Sequence, residues 1–251
     1  MLIMKIQFSK LDIKRNVIIP SLNNPNLAEE IGIHIGDGSM NIYDGVFLYS
    51  LRGHKKDDKN YYTKIIPVLY KKIYNIDVHI REWVDVIGFQ LVSKAIVKFK
   101  HKIGFPYGPK TNTIKIPKFI LKSEILLYNC LRGIFDTDGT LSFEKKSRNL
   151  SYYPRIIFST TSKKLNTQLI KILQNNLKFN LSYWKQSYSS KKWNDIYRIC
   201  IRGNKNINRW FEIIGSDNPK NIFKYNHWKE FGYCPLHVHT EEKLAVLNSK
   251  L

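Results

Sequence analysis

The feature that most constrains this chain is a stretch that occurs twice. Residues 27–40 read L-A-E-E-I-G-I-H-I-G-D-G-S-M and residues 131–140 read L-R-G-I-F-D-T-D-G-T. Laid over each other they agree at one offset: Gly32 with Gly133, Asp37 with Asp138 and Gly38 with Gly139, each pair 101 positions apart. Within the copies, Ala28, Gly32 and Gly36 recur every four residues, as do Asn129, Gly133 and Thr137. On a helix each row is a stripe of small groups along one face. A glycine inside a helix costs about 1 kcal/mol relative to alanine, so one per copy on the same stripe predicts two helix backbones in close approach. A lone Asp-Gly would do no more than end a helix at a turn. Two in register predict that the helix ends meet and carry Asp37 and Asp138 to neighbouring points, where a hard divalent cation could bind.

The rest of the chain reads as two matching halves. The phrases N-V-I-I-P at 16–20 and T-I-K-I-P at 113–117 precede the two stretches, and the proline in each is expected to break a strand before the helix. After the first helix, Ser39 to His54 reads as two strands around Asp44-Gly45, a hairpin turn. Tyr61 to Tyr74 has Ile65, Leu69 and Ile73 at helical spacing, residues 76–91 have strand character, and Ser93 to Ile103 reads as a helix. The second half repeats the order, with strands around 139–146, 153–160, 179–188 and 194–202 and helices over Ser162 to Leu177 and Asn206 to Ile214. Each half therefore reads α-β-β-α-β-β-α. The halves close alike, at 104–110 and 215–220, each with a lysine after a proline, Lys110 and Lys220. The expected domains are residues 1–105, 106–225 and a C-terminal tail, 226–251.

These residues resemble the LAGLIDADG, or DOD-type, homing endonucleases in their single-chain, two-motif form. Leu131, Gly133, Asp136, Asp138 and Gly139 stand in family positions, while the first copy departs from the pattern with Ile35 and Gly36 but keeps Asp37. The resemblance implies an α+β fold of two pseudo-symmetric halves, each with a curved antiparallel four-stranded sheet, joined through the two motif helices. It further implies a magnesium-dependent DNA endonuclease of intron homing, with Mg2+ held by Asp37 and Asp138, and Lys110 and Lys220 as basic groups near the catalytic centre. Gly32 and Gly133 would be the helix-packing pair. The alternative on the same scaffold is a nucleic-acid-binding protein that does not cut, an intron maturase or a repressor.

Charge agrees with a polyanion partner. The chain holds 41 Lys+Arg against 20 Asp+Glu, a formal net charge of +21, which bears on partners more than on fold. Double-stranded DNA is the expected partner, with intron RNA the second. No membrane is expected, because no run of 18 apolar residues exists; an intracellular, cytoplasmic location and a monomer are the further expectations. On the later strands, Lys185, Gln186, Lys191, Arg198 and Arg202 are the candidate DNA-binding residues, since arginine suits guanine and glutamine suits adenine. Cys130, Cys200 and Cys234 are expected to be reduced thiols. His227, Cys234, His237 and His239 have zinc-ligand chemistry, but no C-x-x-C accompanies them and a surface tail is the expectation.

Overall fold

Helix α2, Pro25–Asp37, is begun by Asn24, whose side chain accepts from the Asn26 N–H, and by Pro25 in the first turn. A short capped helix, α1, Lys10–Lys14, precedes it. Every residue from Leu27 to Ile35 is buried, so α2 is a core helix enclosed on all sides. The computed structural model describes residues 5–144, 152–189 and 193–234. Gly38 ends α2 in extended conformation and opens β1, Gly38–Tyr43, which turns through Asp44 and Gly45, both at positive φ, into β2, Val46–His54. Two residues at positive φ are what a tight hairpin between right-twisted strands requires. A π-helical turn over 61–65 leads into α3, Ile66–Tyr74, then β3, Arg81–Glu82, β4, Val86–Val92, and α4, Lys94–Lys102.

The second half follows the same course. It runs through α5, Glu124–Asp138, β5, Gly139–Glu144, β6, Tyr153–Thr160, α6, Lys163–Ile170, β7, Leu181–Gln186, β8, Ile196–Arg202, and α7, Asn204–Ile213. The sheets have matching orders, β1-β2-β4-β3 and β5-β6-β8-β7, with all strand pairs antiparallel. This is the expected α+β architecture in two pseudo-symmetric halves. In each sheet one face packs on helices: Met40, Tyr49, Leu51, Ile87 and Phe89 in the first, Leu141, Ile156, Phe158, Ile199 and Ile201 in the second. The other face of each sheet is open.

The two halves meet along α2 and α5. A Cβ placed on Gly32 would fall on the Cys130 carbonyl oxygen and 2.9 Å from the Ile134 nitrogen. A Cβ on Gly133 would fall on the Glu29 carbonyl oxygen and 2.8 Å from the Ile33 nitrogen. Backbone touches backbone at both points, and no larger residue fits without moving a helix.

The chain departs from its sequence reading at several places. Residues 16–20 and 113–117 are not strands. The Val17 N–H donates to the Asp12 carbonyl, and residue 116 is pinned to Gln168 by two hydrogen bonds, of 2.8 and 3.0 Å, so neither segment joins a ladder. Strand structure in 76–91 is confined to β3 and β4. Residues 226–231, read as tail, belong to a further helix, α8, Pro219–Phe231, whose Tyr225 stacks on Phe211 at 3.8 Å and whose Trp228 packs near Phe143. Most of the expected tail, with His237 and His239, lies outside the described residues. Among the described residues no helix is long and apolar enough to cross a membrane.

Candidate active site and nucleic-acid interface

Asp37 and Asp138 are the last residues of α2 and α5, and the crossing at Gly32 and Gly133 brings both helix ends to the seam between the sheets. Gly36 keeps the seam tight: a Cβ there would stand 2.7 Å from Thr137 Cβ and 3.2 Å from the Asp138 carboxyl carbon. Even an alanine at this position would therefore be crowded. Asp37 borders a groove with Ser39, Asn41, Ser50, Arg52 and Gln90. Asp138 and Lys110 border a second cleft with Thr111, Ser159 and Ile196. One acid thus serves each sheet.

Charge at the seam is strained. Burial and the like charge of Asp138 push the Asp37 carboxyl up to about 8, against the hydrogen bond that Tyr62 Oη donates to its Oδ2 at 2.7 Å. Surrounding protein pushes Asp138 up to about 6, with Lys110 pulling it down, although its side chain reaches solvent. Burial lowers Lys110 to about 8, opposed by both acids. Two carboxyls that resist ionising together are a site where added positive charge is favourable.

Lys110 already supplies some. Its Nζ donates to the carbonyls of His34, Ile35 and Gly36 at 2.7, 2.7 and 2.5 Å, closing the C-terminal end of α2 where the helix dipole is negative. Lys220 does not mirror it. Its Nζ donates to Asp58 Oδ1 at 2.7 Å, and the group that reaches the matching carbonyl of α5 is Asn218, whose Nδ2 donates to the Asp136 carbonyl at 2.9 Å. Asp136 itself is buried and accepts from Ser216 Oγ, the Asp217 N–H and Asn221 Nδ2, so its carboxylate holds the closing loop. Equal Pro-Lys spelling concealed an unequal pair.

Among the described residues no group of three or more His, Cys, Asp or Glu gathers to hold a metal. A cation at the seam would therefore depend on Asp37 and Asp138 together with main-chain carbonyls, water and a phosphate. That all-oxygen donor set suits a hard divalent cation, which commonly takes one or two carboxylates and keeps waters.

Cross-strand pairing places the candidate DNA contacts. Arg198 and Gln186 share the open face of the second sheet, and Arg198 Nη1 donates to Gln186 Oε1. Arg202 lies on the same face, opposite Arg155, with its Nε donating to Cys200 Sγ at 3.3 Å. Lys185 does not join them: it alternates onto the side of Leu181 and Tyr183 and forms an ion pair with Asp195 at 2.7 Å. Lys191 lies outside the described residues. The sequence reading named no contacts on the first sheet, where Ser39, Ser50 and Gln90 form one cross-strand row, with Asn41 and Arg52 on the same face. Ser50 Oγ is buried without a partner among the described residues, and Arg52 lies over the Trp83 ring at 4.8 Å. The period-2 alternation of polar residues through 39–54 was the signal for them.

Two sheets with open polar faces, joined at a helix seam that ends in two acids, define a two-domain scaffold. Residues 127–215 match the LAGLIDADG-like domain family, and the described residues have the two-domain LAGLIDADG fold. It is similar to the LAGLIDADG homing endonuclease I-GzeII, solved in complex with its DNA target, at 13% identity and TM-score 0.53 over 91% of this chain and 92% of that one. It is also similar to the homing endonuclease I-DmoI, solved in complex with DNA and Mn, at 12% identity and TM-score 0.52 over 76% of this chain and 96% of that one. No curated protein matches the chain in sequence.

Proposed function

We propose that the chain is a site-specific double-strand DNA endonuclease that hydrolyses phosphodiester bonds with a divalent cation, magnesium above all, in the service of intron homing. The observation that carries this reading is the meeting of Asp37 and Asp138 at the seam between two open sheets. Asp37 and Asp138 would hold divalent cation at the seam, each acid facing the groove of its own sheet and the strand that lies there. When bound, the cation would neutralise charge on the scissile phosphate and make an attacking water more acidic. Lys110 keeps positive charge beside Asp138 and fixes the end of α2. Ser39, Asn41, Arg52 and Gln90 on one side, and Gln186, Arg198 and Arg202 on the other, hold a duplex and read its base edges. The fold likeness to proteins solved on DNA supports duplex DNA as the partner, and an intracellular monomer suffices for the task.

A second reading, a maturase or repressor that binds without cutting, draws on the state of Asp37. With its carboxyl raised to about 8 and tied to Tyr62, it resists ionising, which disfavours cation binding until a cation or phosphate alters its surroundings. Incubating the protein with a random duplex library and Mg2+, then sequencing both bound and cut species, separates the two. Cut ends at one sequence support the nuclease. Strong sequence-selective binding with every duplex intact overturns it in favour of the binder.

A further inference from the structure

Asp37 is held from behind, and Asp138 is not. Tyr62 is fully buried and donates to Asp37 Oδ2 from a π-helical turn, an irregularity that re-aims side chains and is frequent at functional sites. Gly53 leaves the room: a Cβ on it would meet Tyr62 Cε2 and stand 3.1 Å from Asp37 Oδ2. Behind the turn sits Asp58, 7% exposed, whose carbonyl accepts from the Tyr62 N–H at 2.9 Å and whose Oδ2 accepts from the His54 N–H at 3.0 Å. Its Oδ1 accepts from Lys220 Nζ at 2.7 Å and Asn218 Nδ2 at 3.2 Å, both from the second half. Asn218 also donates to the Asp136 carbonyl, two residues before Asp138. A continuous chain of hydrogen bonds therefore runs from the end of α5, through Asn218, Lys220 and Asp58, to Tyr62 and Asp37. Asp138 has no such support among the described residues, and Lys110 acts on it through charge alone.

We propose that Tyr62, braced by Asp58 and by Lys220 and Asn218 of the second half, is the positioning residue for Asp37, so that this strap governs cutting of the strand served by Asp37 and leaves the other strand to Asp138. The proposal rests on the nuclease reading. A carboxylate with one oxygen fixed by a donor loses rotational freedom and presents the other oxygen in one direction, which is how outer partners orient metal-ligating carboxylates. A hydrogen bond to a charged group is worth about a tenfold change in affinity or rate.

The test uses Tyr62→Phe, which keeps the ring on Gly53 and removes only the hydroxyl, and Asp58→Asn, which weakens the brace. On a duplex labelled on each strand and bearing the sequence that the wild type selects, with Mg2+, Tyr62→Phe is expected to slow one strand about tenfold and the other by less than about threefold. Nicked duplex then accumulates and Asp58→Asn shows the same strand bias; duplex affinity and Tm of Tyr62→Phe stay near wild type, while Asp58→Asn, which leaves Lys220 unpaired, also melts lower. Equal rates on both strands, or equal slowing of both, would overturn the proposal. Mn2+ titration of the uncomplexed protein supplies a readout that needs no cleavage: Tyr62→Phe is expected to weaken Mn2+ binding several-fold, and unchanged affinity sinks the positioning role. If the wild type cuts nothing, the nuclease reading fails by itself, and the Mn2+ result still decides whether Tyr62 positions Asp37.

Discussion

A carboxyl whose pKa the fold raises stores a cost that appears in stability. Unfolded, Asp37 has the ordinary carboxylate value near 3.8; folded, it sits at about 8, so between these values the folded state keeps a proton that the unfolded state has released. The contribution of Asp37 to stability therefore falls as pH rises from about 4 to about 8. Asp37→Asn removes the penalty without changing shape. In EDTA, its Tm is expected to exceed wild type by about 2–4 °C at pH 8, the shift that roughly 1 kcal/mol gives in a chain of this size, with the gain shrinking toward pH 5. Solvent at the half-exposed carboxyl keeps the figure small, and equal melting at pH 8 would contradict the charge assignment. Lys100 carries the opposite lesson. It is fully buried, with Nζ 2.6 Å from both oxygens of Glu30, which also accepts from Tyr49, Tyr70 and Tyr74. Removing one member of such a pair leaves a bare buried charge and costs about 3–5 kcal/mol. Lys100→Ala should show that loss in urea titration, and a loss under about 1 kcal/mol would mean that Glu30 is satisfied without it. Neither the acid pair's strain nor this network was visible in sequence. Lys100 lies among Lys94, Lys98 and Lys102 and reads as one more surface cation, although it falls on the same stripe as Ile96 and Ile103.

At the scale of elements, what could be read was what repeats or turns sharply. The small-residue stripe, the Asp-Gly hairpin and the order of the larger helices and strands each follow from local chemistry: no room for a Cβ, φ above zero, or periodic burial. What misled was extended backbone without a ladder, at 16–20 and 113–117, because an apolar run before proline looks the same whether its partners are a strand or scattered side chains. Helix α8 was missed although Asn218 and Pro219 form a capping signal, with Asn218 Oδ1 accepting from the Lys220 N–H. Its apolar residues Phe223, Tyr225 and Trp228 do not fall on one clear stripe. The lysine-for-lysine reading of the closing loops failed for a related reason: spelling does not report direction, and Asn218, not Lys220, turns toward the end of α5. The helix seam gives the prediction at this scale. Gly133→Leu drives a side chain into the Glu29 carbonyl, and overpacking of a filled contact costs typically about 1–3 kcal/mol. Its urea midpoint should fall accordingly and DNA cutting should be lost; wild-type midpoint and cutting rate would show that the two backbones do not bear on each other there.

For the molecule as a whole, the two sheets divide the work of recognition. Arg52 lies on the open face of the first and Arg198 on that of the second, on opposite sides of the acid pair. Each bidentate base contact discriminates by about 1–3 kcal/mol, so Arg52→Ala and Arg198→Ala should relax sequence preference in separate half-sites. Binding to a set of single-base variants of the selected site would check this, and relaxation of the same positions by both changes would place the two residues on one half-site. The net charge of +21 adds affinity for any duplex and fades with salt, whereas base contacts leave a preference that salt does not erase.

The central claim is that Asp37 and Asp138 form one composite site that cuts both strands. It is tested most directly on a supercoiled plasmid bearing the selected sequence, incubated with Mg2+ and with wild type, Asp37→Asn or Asp138→Asn protein, with duplex affinity measured alongside. The wild type should linearise the plasmid. Each variant should bind the site within about threefold of wild type, because shape is kept while a ligand charge is lost, yet leave the plasmid without double-strand breaks. Normal linearisation by both variants would contradict the account.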